Sequence, residues 1–306
     1  MDEFFMTLDN LYLEGDQKKI ERFLREELEK LEAAGEERAL DAASVLNEMG
    51  GYYRGVSRYA ESCDCCGKAI AILEEKGMAE TIQVATMKLN FAGTLRLMGQ
   101  LGRSYTLFSE SKELLEKLGE TGSYEYISLL NNLSLTCQDM GDGDRAIELA
   151  ETALEAVSKL PNSEDEVPTA LNNLAAMLLR QKKYDDAEYR VRQALTAFKK
   201  LPVSSAHEAA AQSTLGVILF NTGRTEEAAD AFLAAATGTL AVFGKNVDYA
   251  STLRSLSICR EKLGDWDGAD TALEEAVECL ADLLGPNHPR VQVYAGELQS
   301  LRERRK

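Results

Sequence analysis

The stretch Leu130-Asn131-Asn132-Leu133-Ser134 returns 41 residues later as Leu171-Asn172-Asn173-Leu174-Ala175, and this recurrence decides how the rest of the chain is read. Each copy sets a large apolar residue, Leu133 or Leu174, directly before a small one. The same couple recurs outward as Met49-Gly50, Phe91-Ala92, Leu215-Gly216 and Leu256-Ser257. Thirteen residues after each large member stands another small residue: Ser62, Ser104, Ala146, Ala187, Ala228 and Ala269, spaced by 42, 42, 41, 41 and 41. Seven residues further on comes one more: Ala69, Ser111, Ala153, Ala194, Ala235 and Ala276. Seven residues are two helical turns, so this last pair shares one face. A fixed period of this length is the mark of a repeat architecture.

Between the halves of five units lies a short break containing glycine, as in Met98-Gly99-Gln100, Met140-Gly141-Asp142-Gly143, Thr222-Gly223-Arg224, Leu263-Gly264-Asp265-Trp266 and Arg54-Gly55-Val56-Ser57. Glycine tolerates the left-handed conformation that ends a helix, and Asp or Thr nearby caps the next one. The fourth unit reads Gln181-Lys182-Lys183-Tyr184, so its turn is expected to form without glycine and under strain. Each unit is thus two antiparallel helices with small residues where backbones approach and large ones where they interlock. One hairpin cannot bury its own apolar face. Stacked hairpins can, and a constant rotation per unit winds them into a superhelix with a concave side.

The expected fold is all-α: a right-handed α-solenoid of about six to seven helical hairpins. Residues 1–37 form a degenerate N-terminal hairpin broken at Gly15-Asp16, residues 38–287 six repeats, and residues 288–306 a capping helix with a polar outer face. Ala, Leu and Glu dominate and only five prolines occur, which suits helix. The net charge is −17, from 51 acidic against 34 basic residues, so nucleic acid and anionic membrane surfaces are not expected partners. No apolar run is long enough to span a membrane, and Met1-Asp2-Glu3 lacks the basic start of a signal peptide. With six cysteines in no paired framework, a cytoplasmic location is the expectation.

The Leu-Asn-Asn-Leu segments, the period near 42 and Leu284-Gly285-Pro286-Asn287-His288-Pro289 resemble the longer tetratricopeptide repeats of kinesin light chains and their bacterial relatives, over residues 38 to about 300. That resemblance implies a non-enzymatic scaffold that binds a protein or peptide on the concave face lined by the first helix of each hairpin. Projected onto this chain, the face carries Asn47 and Arg54, then Arg96, then Asn131, then Asn172 with Arg180 beside it, then Ser213 and Phe220, then Arg254. Asn47, Asn131 and Asn172 recur at one position, where an amide both donates to and accepts from an extended backbone. Arg54, Arg96, Arg180 and Arg254 have two readings: they converge to receive carboxylates of an acidic peptide, or they pair with neighbouring Glu and Asp. Asn90, Asn132 and Asn173 are expected to bond within the stack. Chaperone-binding relatives carry Asn where this chain has Gly51, Gly93, Leu135, Ala176, Val217 and Ile258, so a co-chaperone role is not expected.

Other candidate chemistry reads as structure. Cys63-Asp64-Cys65-Cys66 has no second cysteine pair to complete a metal site, and Cys66, Cys137 and Cys259 fall where a core needs filling. Cys279 has no evident partner. His207 opens a first helix after Pro202-Val203-Ser204-Ser205, His288 sits in a turn, and no glycine-rich loop follows a strand. Acidic runs such as Glu164-Asp165-Glu166 read as solvated helix starts, and Trp266 as a local packing residue. Neither an enzyme, a metal nor a cofactor is expected. A peptide-responsive regulator and a self-assembling solenoid, forming a homo-oligomer by stacking of terminal repeats, are the alternatives to a plain scaffold.

Overall fold

The computed structural model describes residues 1–161, 163–164, 166–201 and 206–305. Pro202 to Ser205, and Asp165 of the acidic run, lie outside the described residues. Fifteen α-helices follow one another, with no strand among the described residues: α1 (Asp2–Glu14), α2 (Gln17–Ala33), α3 (Ala39–Gly55), α4 (Tyr59–Glu75), α5 (Ile82–Leu97), α6 (Leu101–Lys117), α7 (Tyr124–Asp139), α8 (Gly143–Val157), α9 (Glu166–Arg180), α10 (Tyr184–Phe198), α11 (Ala206–Asn221), α12 (Thr225–Phe243), α13 (Val247–Lys262), α14 (Trp266–Leu284) and α15 (Pro289–Arg304). The chain divides into two compact units, Met1–Ala156 and Val157–Lys306. In the first, α1 through α7 pack each against the next. In the second, α9 through α15 do the same. First helices also touch first helices of adjacent hairpins, α3 on α5, α5 on α7 and α9 on α11.

The repeated small residues are where the helices meet. Ser62, Ser104, Ala146, Ala187, Ala228 and Ala269 are fully buried, and so are the six that follow each by seven residues. Where serine takes such a place, its hydroxyl is satisfied on the facing helix: Ser62 donates to the Gly50 carbonyl (2.7 Å), Ser104 to that of Ala92 (2.8 Å), and Ser257 to that of Ala269 (2.7 Å). A buried hydroxyl without such a bond would cost roughly 1–3 kcal/mol. Size is traded across the same contact. A methyl group on Gly216 would lie 2.8 Å from the Phe232 ring, and one on Gly50 would lie 2.6 Å from the Cys66 sulfur.

The turn within each hairpin has one left-handed residue, five before the buried small one. It is Ser57, Gly99, Gly141, Lys182, Gly223 and Gly264 in the six repeats. The first differs from expectation: Gly55 is the last residue of α3 and Ser57, at φ 61°, takes the left-handed place. Gly15, at φ 73°, makes the turn between α1 and α2, in which Phe4, Leu8, Ile20 and Leu24 are buried. Turns between hairpins use left-handed Gly35, Gly77, Gly119, Gly244 and Gly285. Residues 158–161, which follow α8, contain no glycine and end in Pro161. Thr81, Ser123 and Asn246 cap α5, α7 and α13 through their side chains, and Gln292 and Arg290 are gathered by the last turn, where His288 Nδ1 accepts from the Arg290 N–H. Trp266 packs with Ala269, Leu273, Leu298 and Leu301 between α14 and α15, the local packing role expected of it.

Lys182 adopts φ 58°, a conformation disfavoured by a Cβ atom. Lys182→Gly removes that strain and is expected to stabilise the chain by about 0.5–1 kcal/mol in urea denaturation, less the greater entropy of glycine in the unfolded state. A lower midpoint in the variant would show that the lysine side chain outweighs the backbone.

Candidate functional site

The first-helix face of the N-terminal unit is built from α3, α5 and α7. Asn47 is used within the chain: its Oδ1 accepts from Asn90 Nδ2 on the next first helix (3.0 Å), and its own amide lies 3.4 Å from the Glu48 carboxylate. Asn90 thus bonds within the stack, as expected, and Asn132 donates to the Ser128 carbonyl of its own helix (2.9 Å). Arg54 reaches the Asn90 carbonyl (3.4 Å) and lies over Gly93, where an added Cβ would come within 3.1 Å of its Nη1. Glycine at 93 therefore makes room for a guanidinium. Arg96 donates through Nη1 to Asp139 (2.9 Å), while its Nε is buried without a hydrogen-bond partner. Asn131 Oδ1 and Gln138 Oε1 on α7 are also buried and unpartnered.

The C-terminal unit carries the remaining candidates. Asn172 repeats the situation of Asn131: its Oδ1 is buried with no partner. Arg180 is exposed at the last turn of α9. Phe220 is half-buried with the Lys262 ammonium 4.8 Å from its ring centre. Arg254 forms a two-pronged pair with Glu297 of α15 (2.5 and 2.6 Å) and lies over the Tyr294 ring at 5.3 Å. Ser213 lines a pocket of about 370 Å³ between α11, α12 and α13, together with Ala210, Thr239, Phe243, Asp248, Ser251, Thr252 and Ser255.

Of the two readings of the arginines, pairing with neighbouring acids describes Arg96 and Arg254, whose charges are met from within their own units. The acids Asp139 and Glu297 were not singled out from the sequence, yet a signal for them exists. Asn47–Asn90, Arg96–Asp139, Ser251–Tyr294, Arg254–Glu297 and Glu261–Arg304 are all bonded at a separation of 43 residues. That is one repeat plus one or two positions. Helical side chains lean toward the N-terminus, so a residue slightly further along the next first helix reaches back onto the previous one.

The cysteines are free thiols. Burial pushes Cys65 up to about 11 and Cys66 up to about 12, so both stay protonated and unreactive near neutral pH. Cys66, Cys137, Cys259 and Cys279 are buried. Among the described residues no three His, Cys, Asp or Glu side chains are grouped to hold a metal ion, and no helix is long and apolar enough to cross a membrane.

The tetratricopeptide repeat model matches residues 83–157, 125–200 and 207–282, more than half of the chain. The chain belongs to the tetratricopeptide repeat family. Repeats of this family mediate protein interactions. No curated protein matches significantly. Solved structures with the same fold include BtubC (BKLC) from P. vanneervenii, with 21% identity over 80% of this chain and 94% of that one at a TM-score of 0.60. Another is a kinesin light chain from P. anserina with nearly identical TPR-like repeats, at 16% identity, 65% and 95% coverage and a TM-score of 0.56. A third is a Rap protein complexed with Competence and Sporulation Factor, at 15% identity, 94% and 81% coverage and a TM-score of 0.63. At these identities the likeness is one of fold.

The tetratricopeptide stack uses Asn47 and leaves Asn131 unused, which separates the two by experiment. Asn47→Ala strands the Asn90 amide and is expected to cost about 0.5–1.5 kcal/mol in chemical denaturation. Asn131→Ala removes a buried acceptor with no partner, so it should leave stability unchanged or raise it by up to about 1–3 kcal/mol. Equal losses in both variants would contradict this assignment.

Proposed function

We propose that the chain is a non-enzymatic scaffold whose first-helix faces bind an extended peptide or a segment of a partner protein. The observation that carries this reading is the pair Asn131 and Asn172. Each stands at the same repeat position in its own unit, and each holds a side-chain oxygen buried from solvent with nothing to accept from. Such an atom forfeits its hydration without gaining a hydrogen bond, a cost of roughly 1–3 kcal/mol that a ligand N–H would remove. An extended backbone supplies N–H groups at regular intervals, whatever its side chains. The exposed apolar residues Val217 and Ile258 on α11 and α13 are suited to side-chain contacts beside that backbone.

Among the candidate arginines, Arg54 meets a backbone carbonyl, that of Asn90, where Arg96 and Arg254 meet carboxylates. Acidic partners are accordingly a narrower proposal, confined to the neighbourhood of Arg54. Selection of binders from a peptide-display library on the intact chain tests the reading. Peptides recovered by the wild type are expected to bind Asn131→Ala or Asn172→Ala at least fivefold more weakly, with the fold retained. Unchanged affinity in both variants would remove the face from consideration.

A peptide-responsive regulator is the second reading. It is favoured by the likeness to a Rap protein solved with a factor bound and by the division of this chain into two compact units. Small-angle scattering with and without a selected peptide distinguishes the two. A fall in radius of gyration beyond measurement error supports regulation, and an unchanged profile supports a static scaffold.

A further inference from the structure

The pocket between α11, α12 and α13 has a chemistry of its own. Its volume is about 370 Å³, at the small end for ligand sites and suited to one long side chain with a little adjoining backbone. Hydroxyls from all three helices line it: Ser213 on α11, Thr239 on α12, and Ser251, Thr252 and Ser255 on α13.

What these hydroxyls present is set by where their protons go. Thr252 donates to the Asp248 carbonyl (2.9 Å) and Ser255 to the Ser251 carbonyl (3.1 Å). The Ser251 oxygen lies 3.4 Å from the Tyr294 hydroxyl, which donates to it. With their protons spent on the helix, Thr252 and Ser255 offer the pocket only lone pairs. Thr239 is 8% exposed and, unlike its neighbour Thr237, which donates to the Leu233 carbonyl, has no hydrogen-bond partner among the described residues. Its hydroxyl oxygen is not sealed from solvent, so it is free to turn toward a ligand in the pocket.

Two further groups fix the sign of the ligand. Asp248 is exposed at the rim, in the first turn of α13, and forms no ion pair among the described residues. The nearby Lys245 lies 3.6 Å from Glu275, paired away from it. The first turn of a helix suits an acidic residue, but it does not account for the hydroxyls arrayed beside it. Phe243, 60% exposed, gives the rim an aromatic face, which attracts cations. Acceptor oxygens, one unpaired carboxylate and an aromatic ring together suit a donor-rich cation and reject a carboxylate.

Resting on the scaffold reading, we infer that this pocket receives a guanidinium or primary ammonium group, carried by an Arg or Lys side chain of the bound segment. It is an anchor of opposite sign to the acidic partner considered for Arg54.

The test uses the intact chain and a series of fluorescein-labelled nonapeptides of alternating Ala and Ser, blocked at both ends, with one central residue varied. Fluorescence polarisation is expected to show the Arg peptide binding about tenfold tighter than the citrulline peptide, which has nearly the same shape without the charge. Lys should exceed norleucine similarly, and Glu should bind least. Asp248→Asn should bring Arg down to the citrulline level, and Thr239→Val should weaken Arg binding severalfold, both with melting temperatures close to the wild type. Agmatine competing as well as the Arg peptide would keep the cation site and assign it to a free ligand instead of a side chain. Equal binding of Arg and citrulline, or tighter binding of Glu, would overturn the pocket's chemistry while leaving the scaffold reading intact. Binding of no member of the series would overturn the anchor, and the display selection would then judge the scaffold by itself.

Discussion

Everything in this protein depends on how closely its helices can approach one another. The second helix of each of the six repeats presents two small residues, two turns apart and fully buried, to its neighbours. Replacing any of them by a larger side chain would push the backbones apart and expose the apolar residues that interlock around them. Overpacking of this kind typically costs 1–3 kcal/mol. Serine is admitted because a carbonyl on the facing helix receives its proton, 12 residues away for Ser62 and Ser104 and 26 for Ser111. Compensation also runs in volume: the glycines at 50 and 216 stand opposite Cys66 and Phe232, large groups that take the space a side chain would have used. That is why the cysteines serve as core. The Cys65 and Cys66 thiols are held protonated by burial and fill space against their neighbours.

Once the hairpins are held at a fixed spacing, the contacts between them become as regular as those within them. Polar bonds at a separation of 43 residues tie one first helix to the next in both units. Their most consequential effect is electrostatic. Arg96 and Arg254 look, on a projected face, like cations available to a ligand. In the folded chain they meet Asp139 and Glu297, so the face is less basic than its sequence suggests. The pairs are partly exposed, so they contribute little to stability and act mainly to fix register and to cancel charge.

The candidate site was legible to different depths at different residues. The place of Asn131 and Asn172 on the first helices followed from the repeat alone. Their unpaired oxygens did not, because Asn47, at the same repeat position, is taken up by Asn90. Whether an amide is free depends on what stands one repeat away, which differs from unit to unit. Ser213 was placed on the face by register, but the pocket around it was not, since Thr239 and Phe243 come from a second helix and only packing brings them beside α13.

By itself the sequence determined the all-helical repeat, its period and the identity of the buried small residues. These follow from local rules: helical periodicity, left-handed turn residues and the need for small side chains at close contacts. Even the strained turn at Lys182 was readable, because the absence of glycine is a local fact. Tertiary structure decided which polar groups on the shared face are satisfied, which charges are cancelled and where a cavity opens. It also showed that Ser57, not Gly55, takes the left-handed place in the turn between α3 and α4. The reason is physical: backbone conformation and burial pattern answer to neighbours in sequence, whereas hydrogen-bond satisfaction and pocket lining answer to neighbours in space, one repeat away.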